Sequence, residues 1–352
     1  MMTTRSHFLL VTFCVACLLI SGRSTVTAQT VDQIQMTTGS RLEGKIVAAT
    51  PTEVTIEVRG TKRPVKVNEV KSITFAGEPP ELKNGRARIL AGKYAAGLGD
   101  LKKLNPGQVQ GALIKRDLQF YLALAAAKQT LSVGGDKAAA AQSMMAFVRA
   151  APTSHHFFEA AETLGDLALA QGDSAGAVKF YGAIASKAPW PDYKMRASML
   201  SAEALITKGD FAAAQKSYET VIASKTDTKP ARRQKLFARV GRGRCLAETE
   251  SPQSGLKLIE DVIIENDPAD QELFGRAYNA QGYCYLKAGQ SKAALMAFLH
   301  VDVLFYSEPE IHAEALHHLI ELWAVTQNSD RSVAARKLLD QRYGGSLWAQ
   351  KK

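Results

Sequence analysis

From Asp32 to Phe75 the apolar side chains fall at every second position, the alternation expected of strands that bury one face. It predicts strands over Gln33 to Met36, Arg41 to Ala48, Glu53 to Val58, Pro64 to Val67 and Ser72 to Phe75. The turn-forming stretches Thr38-Gly39-Ser40, Thr50-Pro51-Thr52 and Arg59-Gly60-Thr61 separate them and are short enough for antiparallel neighbours. So small a sheet buries little apolar surface unless it closes on itself or leans on another domain. The expectation is therefore a small five-stranded antiparallel β-barrel over residues 29–76.

Gly77-Glu78-Pro79-Pro80 ends the alternation, and a linker is expected over residues 77–83. From residue 84 the chain turns to Ala, Leu, Lys and Gln, which favour helix. A period then emerges. VGGDKAAAA around Gly135, AQGDSAGAV around Gly172 and TKGDFAAAQ around Gly209 are spaced by 37 residues, and KAGQSKAAL around Gly289 follows 80 residues after Gly209. That gap holds two units, with a less typical turn near Glu250-Ser251-Pro252, and Gly92 opens the series one unit earlier. Five residues after each clear turn glycine stands a small residue (Ala140, Ala177, Ala214, Ala294), and four residues later a bulky one (Met144, Tyr181, Tyr218, Phe298). On one helix face, the alanine lets a neighbour approach and the bulky residue fills the space beneath the turn.

This pattern resembles the tetratricopeptide repeat family, whose helix-turn-helix unit is about 34 residues long. The family's closing proline corresponds to Pro152 and Pro189, and its small first-helix residue to Gly165 and Gly282. The unit around Gly243 and Leu246 departs from the pattern, with Gly255 in the alanine position. The resemblance spans residues 84–343 and implies a mainly α chain, a right-handed α-solenoid over residues 84–352, in one elongated stack. Its last helices are expected over Glu310 to Thr326 and Arg331 to Arg342, with Trp348 folding back as a cap. The phrase Met36 to Val47 (MTTGSRLEGKIV) resembles the opening strands of SH3-like or Sm-like barrels. Sm-like barrels bind RNA in other settings. Here Arg41, Lys45, Arg59, Lys62, Arg63, Lys66 and Lys71 are offset by Asp32, Glu43, Glu53, Glu57, Glu69 and Glu78, and no aromatic is placed for base stacking. No nucleic-acid partner is expected.

The first residues bear on the compartment. Arg5 precedes an almost wholly apolar run, Phe8 to Ile20, and Val26-Thr27-Ala28 suits a signal peptidase, so residues 1–28 are expected to be a cleaved signal peptide. The run is shorter than the roughly 20 residues that span a bilayer. An exported protein, periplasmic or secreted, is the expectation, with at most peripheral association with the envelope. The net charge of +10, less Arg5 and Arg23 of the signal, leaves +8 with acids and bases interspersed. Cys245 and Cys284 then remain, an even pair that invites a disulfide in an oxidising compartment. The repeat register works against it, placing the two about a helix-packing distance of 8–10 Å apart, beyond an unstrained bridge.

Candidate chemistry is sparse. His155-His156 and Glu314-x-x-His317-His318-x-x-Glu321 have metal-like spacing, yet His-Glu-x-x-His is absent, and neither a metal nor a cofactor is expected. GRGRC (Gly241 to Cys245) lacks the Gly-Lys-Ser/Thr ending of a phosphate loop, and no Gly-x-Ser-x-Gly elbow occurs, so no enzyme is expected. A solenoid instead offers a concave groove lined by the first helix of each pair. The register places Glu159, Glu162, Asp166, Arg196, Glu203, Arg244, Arg276, Asn279, Tyr283 and Lys287 there, acidic at one end and basic at the other. The basic end around Arg276, Asn279 and Tyr283 suits an acidic or C-terminal peptide segment. The expected function is a non-catalytic scaffold that holds a protein or peptide partner; the alternative is a cell-wall or polysaccharide-associated structural protein.

Overall fold

A computed structural model describes residues 31–105 and 107–351; the expected signal peptide and its cleavage point after Ala28 lie outside the described residues. Five strands come first: β1 Asp32–Met36, β2 Arg41–Ala49, β3 Glu53–Val58, β4 Thr61–Lys66 and β5 Val70–Thr74. They form one antiparallel sheet in the order β4-β3-β2-β1-β5. Gly44 on β2 allows the close approach of β3, because a Cβ there would stand 2.3 Å from the carbonyl oxygen of Glu57. Pro64, which cannot donate to a ladder, lies on the edge strand β4.

The sheet does not close, which corrects the barrel expectation: β4 and β5 remain the two edges. The physical demand behind that expectation is met another way. The apolar face (Ile34, Ile46, Val54, Ile56, Val65, Ile73, Phe75) is packed by Leu113 and Ile114 at the start of the third helix, so a neighbouring helix supplies the missing cover.

Among the described residues the helices run in seven pairs: α1 Pro80–Leu90 with α2 Tyr94–Leu101, α3 Ala112–Val133 with α4 Lys137–Ala150, α5 Phe157–Ala170 with α6 Ser174–Lys187, α7 Pro191–Lys208 with α8 Phe211–Ile222, α9 Lys229–Thr249 with α10 Pro252–Glu265, α11 Gln271–Lys287 with α12 Ser291–Leu304, and α13 Pro309–Val325 with α14 Ser329–Tyr343. A short α15, Leu347–Gln350, follows. Helix begins at Pro80, inside the stretch expected as linker, since proline is well suited to a first helical turn.

The Gly-Asp turns explain the repeat at atomic level. Gly172 and Gly209 take positive φ (80° and 86°), and Asp173 and Asp210 then cap α6 and α8 by accepting the amides of Gly176 and Ala213. Ala177, Ala214 and Ala294 are fully buried, and Tyr181, Tyr218 and Phe298 lie beneath them. Each large ring faces a glycine of the preceding or following helix: Gly165 meets Tyr181, Gly241 meets Tyr218 and Gly282 meets Phe298. In GRGRC the second glycine, Gly243, packs on Ile259 and Gly255 of α10, so the string is a helix-packing device. Cys245 and Cys284 are both buried and free.

Each pair packs on the next, as expected, but the stack is not elongated. Its last pair returns to the third helix: α14 contacts α3, and the amide of Gly345 donates to Ser132 O at 3.2 Å. The array from α3 to α14 is thereby curled into a ring whose first helices form the inner wall. Among the described residues no helix is long and apolar enough to cross a membrane.

Candidate binding groove

Where the sheet meets the ring, a charged network is buried. Arg86 on α1 donates to Asp117 Oδ2 on α3 at 2.7 Å and to Glu78 Oε2 at 2.6 Å. Asp117 Oδ1 lies 2.8 Å from His156 Nε2, and the His156 ring stacks on Phe120 with centroids 3.7 Å apart. Burial alone would raise the Asp117 carboxyl, but the charge of Arg86 and the His156 hydrogen bond outweigh it and hold it at about 2. The adjacent His155 is pushed down to about 3 by burial and by its neighbour His156, so it is neutral at physiological pH.

The ten residues that the register assigned to a groove all lie on first helices of their pairs. Glu159, Glu162 and Asp166 project from α5, Arg196 and Glu203 from α7, Arg244 from α9, and Arg276, Asn279, Tyr283 and Lys287 from α11. Their charges are not segregated, which corrects the expected acidic and basic ends. Arg196 Nε donates to Glu162 at 2.9 Å; Arg276 pairs with Glu272 at 3.1 Å and reaches Glu203 at 3.9 Å; Arg244 pairs with Glu314 at 2.8 Å. Tyr283 and Lys287 both engage Glu248. Asp166 accepts from Lys128 and from the Tyr181 hydroxyl, each at 3.0 Å.

Asn279 is also corrected. It is 2 % exposed, and its amide donates to Ile311 O at 2.8 Å and to Glu314 at 3.2 Å, so it joins α11 to α13 instead of facing an open groove. The counter-charges Lys128, Glu248, Glu272 and Glu314 were not assigned to the wall by the sequence, although the first-helix register that placed Arg244 and Arg276 also runs through Glu248 and Glu272.

Curling brings distant repeats within electrostatic range. Glu310, in the first turn of α13, is raised to about 7 by burial and then by the charge of Asp166 on α5, with Lys128 on α3 opposing. Glu162 is pulled down because the Arg196 charge overcomes its burial. Between α5 and α7 the wall opens into a cavity of about 310 Å³ bordered by Phe158, Glu159, Glu162, Tyr193 and Arg196. His155-His156 with Asp117, and His317-His318 with Glu321, each bring three possible metal-ligating atoms within 4.8 Å of one another. In the first cluster Asp117 is already engaged by Arg86 and His156, which leaves little for a metal.

No family model matches the chain, and no curated protein sequence does. Solved structures do resemble it. A tetratricopeptide repeat protein from Parabacteroides merdae superposes with a TM-score of 0.52 at 14 % identity, covering 74 % of this chain and 91 % of that one. NprR in complex with its cognate peptide NprX also gives 0.52 at 14 % identity, covering 73 % and 75 %. The apo form of NprR, a quorum sensor from B. thuringiensis, gives 0.46 at 12 % identity, covering 74 % and 85 %. At these identities the likeness is one of fold, and the fold of this chain is of the tetratricopeptide repeat type.

Proposed function

We infer that this chain is a non-catalytic scaffold of the cell envelope or secreted space that holds a protein or peptide partner against the inner wall of its helical ring. The observation that carries the reading is the cavity of about 310 Å³ that opens between the first helices α5 and α7, bordered by Phe158, Glu159, Glu162, Tyr193 and Arg196. A concave space lined by apolar, acidic and basic side chains together suits a polypeptide segment. The likeness in fold to NprR, solved with a peptide, supports the same class of partner. Export rests on the apolar run from Phe8 to Ile20 and the small residues before position 29.

Crosslinking in the native compartment, followed by identification of the captured species, tests the reading. Arg276→Glu places an acid beside Glu272 and Glu203 and reverses the charge offered by α11. Its expected outcome is loss of capture with the fold retained and the melting temperature lowered only modestly by the surface pairs lost; capture retained at wild-type level removes Arg276 from the binding surface.

A further inference from the structure

The short helix α15 is lightly held. None of its four residues is buried, and its hydrogen bonds close locally: the Ser346 amide donates to Tyr343 O at 2.8 Å, the Ala349 amide to Ser346 Oγ at 3.2 Å and the Lys351 amide to Leu347 O at 3.2 Å. What crosses to α13 is chiefly ring contact, with the Trp348 centroid 5.5 Å from that of His317 and 5.6 Å from that of His318. Lys351 turns back over the same Trp348 ring, 3.6 Å from its centroid. Its ammonium is held below the ordinary lysine value by burial and by the charge of Arg244, which outweigh Glu314 and Glu321.

The seat beneath it belongs to the ring. His318 follows Glu314 by about one helical turn, so the two share a face of α13. Glu314 accepts from Arg244 of α9 past the intervening first helix α11, and that face therefore looks towards the first helices before it. The His318 ring stacks on Phe298 of α12 with centroids 4.7 Å apart, which fixes the floor of the seat. His318 is pushed down to about 3 by burial, then by the charges of Arg244 and His317, so at physiological pH the floor is a neutral aromatic surface.

We propose that α15 is an intramolecular ligand in an exchangeable docking seat on α13, and that the partner displaces it with an aromatic side chain carried on a short helical turn. The occupant already present shows the chemistry the seat accepts: an indole against His317 and His318, with little polar bonding beyond the segment itself. Because α15 is tethered, its effective concentration at the seat is on the order of millimolar. A partner therefore prevails only when the aromatic is joined to contacts elsewhere on the ring, which makes the seat selective for a polypeptide that engages both. The proposal rests on the scaffold reading and adds the side chain that the scaffold selects.

The test is fluorine NMR with a synthetic peptide of residues 346–352 that carries fluorotryptophan in place of Trp348. The full chain with Trp348→Ala, whose seat is freed, should bind it saturably and at least about tenfold more tightly than wild type, in which the attached segment competes. The same peptide with alanine in the tryptophan position should not compete. A second measurement needs no variant. In the wild-type chain labelled at Trp190, Trp323 and Trp348, excess unlabelled peptide should move the Trp348 resonance to that of a free segment and leave the other two in place. Equal binding by wild type and Trp348→Ala, or a Trp348 resonance that stays in place, makes α15 a fixed end cap and overturns the proposal. Partner capture is scored separately: capture by a chain whose α15 does not exchange removes the seat and leaves the scaffold, whereas exchange without any captured partner does the opposite.

Discussion

Arg86 holds a full charge at 3 % exposure, which is tolerable only because Glu78 and Asp117 both contact its guanidinium. The partnership is asymmetric: Asp117 also fixes His156, so one carboxylate joins α1, α3 and the loop before α5. Asp117→Asn would leave Arg86 with a weaker partner and His156 with a neutral one. Removing one member of a buried pair costs about 3–5 kcal/mol, so a denaturation midpoint shifted down by that order is the expected outcome. Because the folded-state value of Asp117 falls from its ordinary 3.8 to about 2, its contribution is fully present above 3.8 and fades as pH drops towards 2. Acid titration of stability in wild type and variant checks that loss, which should be absent from Asp117→Asn.

At the scale of the helix pair, the rule is a ring on one helix against a bare backbone on its neighbour. A Cβ on Gly165 would stand 2.2 Å from the Tyr181 ring, which is itself buried and bonded to Asp166, so the ring has nowhere to go. Gly165→Ala should cost about 1–3 kcal/mol by overpacking. Gly182, on α6 in the same pair, is open: a Cβ added there would meet nothing within 4 Å. Gly182→Ala should therefore stabilise by up to about 1 kcal/mol through helix propensity. Thermal melts of the two variants side by side separate close packing from propensity; equal shifts would mean that the Gly165 contact does not govern the pair.

Across the whole molecule, closure rests on a small seam, in which Gly345 donates to Ser132 and a Cβ on Gly345 would stand only 2.2 Å from Thr130 O. Glu310 on α13, an exposed residue, is raised from its ordinary 4.5 to about 7 by desolvation of its carboxyl and by the charge of Asp166 across the ring on α5. The fold therefore binds this proton more tightly than the unfolded chain does. Its contribution is present below 4.5 and lost as pH rises through about 7. The expected outcome is a small fall in stability as pH rises through about 7, screened by solvent at this exposed group and read from denaturation midpoints across that range. Glu310→Gln should flatten the dependence, and an unchanged profile in that variant would place its origin elsewhere.

What the chain's own sequence determined is local and periodic: the alternating strands, the Gly-Asp turns that end one helix and cap the next, and the small-then-bulky pairs that became the core at Ala177 and Tyr181 or Ala214 and Tyr218. These follow from backbone geometry and side-chain size within a few residues of each other, so they are legible in the chain alone. That Glu162, Arg196 and Arg244 lie on first helices was legible for the same reason, since the repeat fixes where each helix starts. Their partners were not: Arg244 finds Glu314 from 70 residues away, and Asn279 turns to Ile311 instead of the groove. Closure of the ring and opening of the sheet were likewise decided only by the tertiary structure. Curvature sums small rotations at every interface between pairs, and the sheet's uncovered face is satisfied by whichever helix that curvature brings to it.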